Sequence, residues 1–285
     1  EELTYIIIMY QNLLKPTHLQ ELCKQSGLTP SKKYGQNYLI TESPIKKMIE
    51  AAGVEKEDTV VEIGPGFGVL TFALAEKVQK VIAFEIEKKL QSYWDKVSPD
   101  NLKVVWGNVL NHVEDESERL EDYKVVANLP YQITSNVLRA LLELENKAES
   151  ITVMVQKEVA DRIVAKPGAM SILAVSVQYY GESKIVTKVA KGSFWPAPKV
   201  DSAVLHIVIK EGGTNNKEFD SKFFEVVRAG FANKRKQLWR NLSVGLKLEG
   251  QSMKDALKEV VGNEKVRAEE LSIEQWVKIT NCIIA

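Results

Sequence analysis

The sequence predicts an α/β fold, a mostly parallel sheet with helices on both faces, followed by a small all-helical domain. Three observations carry this expectation. From Thr59 to about Gln156, short apolar runs alternate with helical patterns, as parallel strands joined by crossover helices require. Two later β-rich runs, at 185–189 and 203–209, have no helix between them and predict an antiparallel hairpin at one sheet edge. After the linker Gly212-Gly213-Thr214-Asn215-Asn216 no strand pattern recurs. The expected domains are therefore 1–211, with a helical N-terminal extension over 1–55, and 215–285.

The elements follow in order. Thr17 and Gln20 form a T-x-x-Q box and Gly27 ends the pattern, which predicts a helix near 17–26. A second helix is bracketed by Ser43-Pro44 and Gly53. Between the two lies Lys32-Lys33-Tyr34-Gly35-Gln36-Asn37-Tyr38-Leu39, a basic, aromatic loop with a glycine hinge. Strands are expected at 60–63, 80–84, 102–105, 125–127 and 151–155, with helices running to Lys77, to Val97 and through Leu144. At 223–242 a single amphipathic helix is expected, with Phe224, Phe231, Leu238 and Leu242 on its apolar stripe.

Composition limits the function classes. Lys plus Arg and Asp plus Glu both number 38, so net charge makes no case for a nucleic-acid partner and any basic surface is local. Cys23 and Cys282 have neither disulfide-framework nor metal-ligand spacing, which points to a reducing compartment and to no metal site. The apolar run at 5–10 is short and follows two glutamates, where a signal peptide would be basic. A soluble, cytoplasmic protein with no membrane partner is expected.

Gly64-Pro65-Gly66-Phe67-Gly68 follows the first strand of the alternating series and opens a helix, the context in which a glycine cluster is informative. Glu85 ends the next strand, 21 residues after Gly64, where a carboxylate can take both hydroxyls of a ribose. The G-x-G-x-G spacing is one residue short of the pattern that cradles a pyrophosphate. This favours S-adenosylmethionine, with its adenine near Ile86, Asn108 and Val109, over a nicotinamide cofactor, which stays open on this segment alone.

Asn128-Leu129-Pro130-Tyr131 ends the strand at 125–127. An exocyclic amine on a nucleobase is a poor nucleophile, because its lone pair is delocalised into the ring. A methylating enzyme must accept hydrogen bonds from its N–H groups while something flat grips the base. The Asn128 side-chain oxygen and the Leu129 or Pro130 carbonyl are acceptors for those bonds, Pro130 biases Leu129 to an extended conformation, and Tyr131 offers a stacking ring.

These blocks, with Gln156-Lys157-Glu158-Val159, the stretch Phe194-Trp195-Pro196-Ala197-Pro198-Lys199-Val200-Asp201-Ser202-Ala203 and Phe231-Ala232-Asn233-Lys234-Arg235-Lys236, occur in one order from residue 33 to 240. In that order the chain resembles the small-subunit ribosomal RNA adenine dimethyltransferases, the KsgA-like enzymes within the Rossmann-like methyltransferases. The resemblance implies that Asn37 and Leu39 close over the methionine part of S-adenosylmethionine, that Gly64 and Gly66 line it, and that Glu85 holds the ribose. It implies that residues 128–131 hold the target adenine, with Phe194 as a second ring. It further implies dimethylation of two adjacent adenosines near the 3′ end of small-subunit ribosomal RNA, on the assembling subunit, by a monomer. Two departures stand out. Asn108 occupies the usual aspartate position, and the loop at 166–171 is shorter than is common in relatives, which puts RNA affinity and the order of methylation in question.

For RNA contact, Lys32, Lys33 and Lys199 are candidates. Lys236 and Arg240 join them, lying four apart and off the apolar stripe of the expected helix. Arg228 and Arg235 fall at the stripe's edge, where they can brace a domain junction instead. Two other functions are compatible with these residues: a large-subunit methyltransferase of the antibiotic-resistance type, and a mainly RNA-binding assembly or transcription factor.

Overall fold

The computed structural model describes residues 2–30, 36–210 and 216–284. Lys32 and Lys33 lie outside the described residues, as does the linker at 212–215. In chain order the helices and strands are α1 (Glu2–Leu13), α2 (Pro16–Gln25), β1 (Tyr38–Leu39), α3 (Glu42–Ala52), β2 (Thr59–Ile63), α4 (Val69–Ala75), β3 (Lys80–Glu85) and α5 (Gln91–Val97). They continue with β4 (Leu102–Trp106), α6 (Val113–Ser117), β5 (Lys124–Asn128), α7 (Thr134–Glu143), β6 (Ser150–Gln156), α8 (Lys157–Ile163) and α9 (Ile172–Tyr180). The last are β7 (Gly181–Val189), β8 (Phe194–Trp195), β9 (Ser202–Ile209), α10 (Lys217–Gly230), α11 (Leu238–Leu246), α12 (Gly250–Val261) and α13 (Ile273–Ile284).

The mixed sheet has the order β4-β3-β2-β5-β6-β9-β7. Its ladders from β4 through β6 are parallel. β9 is antiparallel to β6, and β7, its neighbour, is the edge. The expected edge pair is thus present. The strands are continuous apolar runs because helices cover both faces, and β6 is buried over 150–155. On one face Ile45 and Met48 of α3 meet Leu70 and Leu74 of α4 over Val60, Val126 and Met154. Elsewhere Leu13, Leu19 and Leu22 of the N-terminal helices join Phe67, Phe72 and Trp94.

A separate two-stranded ladder pairs Tyr38 with Trp195 and Leu39 with Phe194. It ties the segment after the basic loop to the proline-rich stretch at 194–200. Two helix starts differ from expectation. α2 begins on Pro16 after Lys15, so no T-x-x-Q box forms, and α3 is preceded by Thr41 in place of Ser43. In the first case the proline at the first helical position, with its fixed φ, sets the start one residue earlier.

The chain divides into two compact units, residues 1–160 with 184–209, and residues 161–183 with 210–285. The sequence boundary at 211 does not separate 161–183 from the first unit, whereas aromatic packing does. Tyr179 stacks on Phe223 with centroids 4.0 Å apart and its hydroxyl donates to Asp220 at 2.7 Å. The short loop at 166–171 belongs here too, since the N–H groups of Gly168 and Met170 donate to the Glu269 carbonyl.

In the second unit the single helix expected at 223–242 is two helices. α10 stops at Gly230 and α11 starts at Leu238. Asn233 makes the turn, its side-chain oxygen accepting the Arg235 N–H and its carbonyl the Lys236 N–H. Asn241 donates its amide to the Gly230 and Asn233 carbonyls at 2.6 and 3.0 Å, which satisfies the helix end. Phe224, Phe231, Leu238 and Leu242 are all buried, but on a helical hairpin. Arg228 and Arg235 are exposed, so neither is buried as a brace.

Gly230 is where the hairpin closes. A Cβ there would lie 2.4 Å from the Trp276 ring and 2.9 Å from Leu238, and both of those side chains are fully buried. Gly230→Ala therefore overpacks a rigid site. It is expected to cost about 1–3 kcal/mol despite the better helix propensity of alanine, read as a lowered melting temperature. An unchanged or raised melting temperature would mean that α13 yields at no cost.

Candidate active site

The strand order sets the site. β2 and β5 are neighbours, with Val60 in register with Lys124 and Val61 with Val125, and beyond their carboxyl ends the chain leaves for different parts of the sheet. Gly64 follows one strand and Asn128 ends the other, and the two residues face a common cleft. Such a crevice, where successive connections run to opposite sides of the sheet, is the usual ligand site of an open α/β fold.

This first cleft is lined by Gln36, Asn37, Tyr38, Leu39, Glu62, Gly64, Pro65, Gly66, Val69, Leu70, Glu85, Ile86, Asn128 and Pro130. It brings together Asn37, Leu39, Gly64, Gly66, Glu85, Ile86 and Asn128 of the sequence candidates. The glycine loop is built to approach closely. Gly66 has φ 57°, and a Cβ there would meet the Tyr38 ring at 2.9 Å. Its N–H donates to the Glu85 carboxylate at 3.1 Å, while its carbonyl accepts the Trp94 indole N–H at 3.0 Å. The other Glu85 oxygen accepts the Glu87 N–H at 2.7 Å. Burial raises the Glu85 pKa, and the N–H groups of Glu87, Gly66 and Ile86 oppose that rise by stabilising the anion.

Glu62 was not singled out in the sequence, where it reads as an ordinary strand residue. It is 1 % exposed and accepts the Thr71 hydroxyl at 2.6 Å. Burial pushes its carboxyl up to about 8, the Thr71 bond offsets part of this, and Glu85 adds repulsion. A charged residue within an otherwise apolar strand, Val60-Val61-Glu62-Ile63, was the available signal.

The lining discriminates between cofactors. It holds two carboxyl groups and no lysine or arginine. A pyrophosphate would meet repulsion there, whereas a ribose bonded to Glu85 and a cationic sulfonium with an ammonium group suit these acceptors. The residues fit S-adenosylmethionine. Asn108 and Val109 do not line the cleft. Asn108 caps the turn after β4, its side-chain oxygen accepting the Leu110 N–H at 3.1 Å, and Val109 is buried.

Residues 128–131 stand between two concavities. The second is lined by Pro30, Gln36, Asn37, Tyr131, Gln132, Gln156, Pro196, Ala197, Pro198, Lys199 and Val200. Asn128 and Pro130 face the first and Tyr131 the second, with Gln36 and Asn37 common to both. The Asn128 amide nitrogen donates to the Asn37 carbonyl at 3.3 Å, which turns its oxygen away from that partner. Of the two carbonyl candidates, that of Pro130 accepts the Ile133 N–H and the Thr134 hydroxyl, both at 3.2 Å. The Leu129 carbonyl carries no such bond among the described residues.

Phe194 lies elsewhere than expected. It is 3 % exposed and sits in the core with Leu39, Ile45 and Val204, because its ladder with Leu39 turns the ring inward. It lines neither concavity. Lys199 borders the Tyr131 concavity. Lys236 and Arg240 are exposed in the second unit, where the Arg240 guanidinium lies 5.0 Å from the Trp239 ring centroid. Among the described residues there is no cluster of metal-ligating side chains and no helix long and apolar enough to cross a membrane.

Residues 27–285 match the family model described as ribosomal RNA adenine dimethylase. The chain is 39% identical over 263 residues to ribosomal RNA small subunit methyltransferase A of Dehalococcoides mccartyi, covering 91% of this chain and 90% of that protein. Its namesake from Bacillus pumilus is 37% identical, covering 96% and 98%. The crystal structure of a dimethyladenosine transferase from Plasmodium falciparum shares the fold with a TM-score of 0.69 at 24% identity, covering 85% of this chain and 95% of that one. That of the 23S rRNA methyltransferase ErmE gives 0.69 at 25%, covering 87% and 100%.

The buried Glu62 has a pH signature. Its folded-state value, about 8, lies above the ordinary 4.5, so the folded protein keeps a proton that the unfolded chain loses between those values. That contribution to stability is complete below about 4.5 and is lost as pH rises to about 8. Glu62→Gln keeps an acceptor for Thr71 and nothing to titrate. Its melting temperature relative to the parent is expected to climb across this window and level off above it; a constant difference would show that Glu62 is ionised throughout.

Proposed function

The chain belongs to the ribosomal RNA adenine dimethylase family, and on that premise we propose that its first cleft holds S-adenosylmethionine while the Tyr131 concavity receives an extruded adenine. The chain is an S-adenosylmethionine-dependent adenine dimethyltransferase acting on small-subunit ribosomal RNA. The observation that supports this division of labour is the position of residues 128–131, with Asn128 and Pro130 on one cleft and Tyr131 on the other.

Bound S-adenosylmethionine supplies a methyl group on a good leaving group. Everything else falls to positioning. Glu85 anchors the ribose, Glu62 and the Gly64–Gly66 turn border the cationic end, and Asn37 and Leu39 cover it. Ile86 would border the cofactor's adenine, whereas Asn108 and Val109, which do not line the cleft, have no contact with it assigned. The Asn128 side-chain oxygen and the Leu129 carbonyl accept the N6 hydrogens of the target, whose ring stacks on Tyr131. These bonds strengthen as positive charge develops on the amine, so they favour the transition state. No strong general base is needed, since the attached proton becomes acidic once the new bond forms.

The substrate is a pair of adjacent adenosines near the 3′ end of small-subunit RNA, presented on the assembling subunit in the cytoplasm to a monomeric enzyme. Lys199 lies beside the target base, and Lys236 and Arg240 contact RNA phosphates. The large-subunit reading has less support, because relatives at 37% and 39% identity carry the small-subunit name and the likeness to the 23S enzyme is at 25%. Incubation with S-adenosylmethionine and immature small subunits, followed by mass-spectrometric mapping, should show dimethyladenosine in small-subunit RNA. Modified adenines only in large-subunit RNA, or none, would overturn the proposal.

Glu85→Ala should weaken S-adenosylmethionine binding by about 1.5–3 kcal/mol, the worth of hydrogen bonds to a charged acceptor. Calorimetry that gives an unchanged dissociation constant removes Glu85 from the cofactor site. For Lys236→Gln combined with Arg240→Gln, subunit affinity should fall and its dependence on salt should flatten by about one unit per lost phosphate contact. An unaltered slope with unaltered affinity would leave these two residues as a solvated face.

A further inference from the structure

Stacking alone leaves the Tyr131 hydroxyl without a task, yet the structure gives it one. It lies 2.6 Å from the Ser202 hydroxyl, and Ser202 is fully buried at the first position of β9. Ser202 is itself fixed in place. It is in register with Gln156 of β6, and the preceding Asp201 accepts the Lys191 N–H with its carboxylate and the Lys157 N–H with its carbonyl, both at 3.0 Å. The Tyr131 backbone is equally constrained, because the Leu129 N–H donates to Met154 and the Pro130 carbonyl is held by the start of α7. What remains free is rotation about the two side-chain torsions, and the bond to Ser202 fixes the first, which decides where the ring points.

We propose that Ser202 is a positioning residue for methyl transfer, which holds the long axis of the Tyr131 ring in the direction at which the target base stacks with its amine facing Asn128. The inference rests on the assignment of Tyr131 to the target adenine. It gives the antiparallel strand β9 a use that a purely parallel sheet lacks. A strand of opposite direction brings its N-terminal residue to the carboxyl end of β6, beside the site, where a parallel strand would bring its C-terminus. Loss of the bond leaves the ring to sample several rotamers, of which one suits the stack.

A double-mutant cycle on the full chain tests this, with immature small subunits and saturating S-adenosylmethionine. Ser202→Ala and Tyr131→Phe each remove the same bond, so each should slow single-turnover methylation by roughly five- to tenfold, the rate equivalent of one net hydrogen bond. The double variant should be no slower than either single one, and cofactor affinity should stay unchanged in all three. Losses that multiply in the double variant, or a Tyr131→Phe enzyme at the parent rate, overturn the inference. Should Ser202→Ala fail to fold, as its melting curve would show, Tyr131→Phe still decides, because it deletes the bond from the cleft side without touching the buried strand. A parent protein that forms no dimethyladenosine overturns the functional reading and this inference with it, whereas parent activity with unaffected variants overturns this inference alone.

Discussion

The reversal of strand order between β2 and β5 is the constraint on which the site depends. The two strands are parallel neighbours, in register at Val60 with Lys124 and Val61 with Val125. From β2 the chain runs to β3 and β4 on one side, and β5 and β6 lie on the other. No crossover helix has to cover the crevice between them. Gly64 and Asn128 therefore flank an opening, and the β2–β3 ladder brings Glu85 to it from the next strand. The loops that leave β2 and β3 carry N–H groups that need acceptors outside any ladder. Glu85 takes two of them, from Gly66 and Glu87, so the same carboxylate that faces the cleft also shapes its floor.

The first cleft concentrates acidity in an apolar setting. Glu62 and Glu85 are almost fully buried, and their proximity raises the cost of ionising both. A structural role would be met more cheaply by an apolar residue at Glu62, because a buried carboxyl bound to one threonine hydroxyl stabilises little. Its presence is better explained by a cationic ligand. Charge complementarity also bears on the two cofactors that glycine spacing alone left open, since the lining has two acids and no lysine or arginine to meet a pyrophosphate.

In the helical unit, local chemistry overrides periodicity. Phe224, Phe231, Leu238 and Leu242 keep a helical spacing across 223–242, yet the chain folds back between Phe231 and Gln237. An Asn233 turn competes with the helix for the same N–H groups, and the Asn241 amide caps the carbonyls that the break exposes. The two helices then pack on each other, with Phe231 stacked on Trp276 and Leu238 and Leu242 buried, which a single straight helix could not arrange.

The sequence by itself determined the strand series, the glycine turn with its paired Glu85, and the polar tetrapeptide at 128–131. Each depends on a few consecutive residues whose conformational preferences are local. It also carried enough ordered blocks to place the chain in its family. Only the tertiary structure decided which candidates share a surface. Asn37, Gly64, Glu85 and Asn128 meet because of sheet order, while Asn108 caps the turn that Val109 begins and neither lines the cleft, and Phe194 is drawn into the core by its ladder with Leu39. Ser202 was illegible for the same reason, and Glu62 showed only as an acid in an apolar strand. Nothing adjacent in sequence distinguishes a buried acid on a cleft from one on a surface, or a serine that begins a strand from one that fixes a ring 71 positions away. Such roles are set by the non-local packing of strands and helices, which pairs residues that local propensity leaves independent of one another.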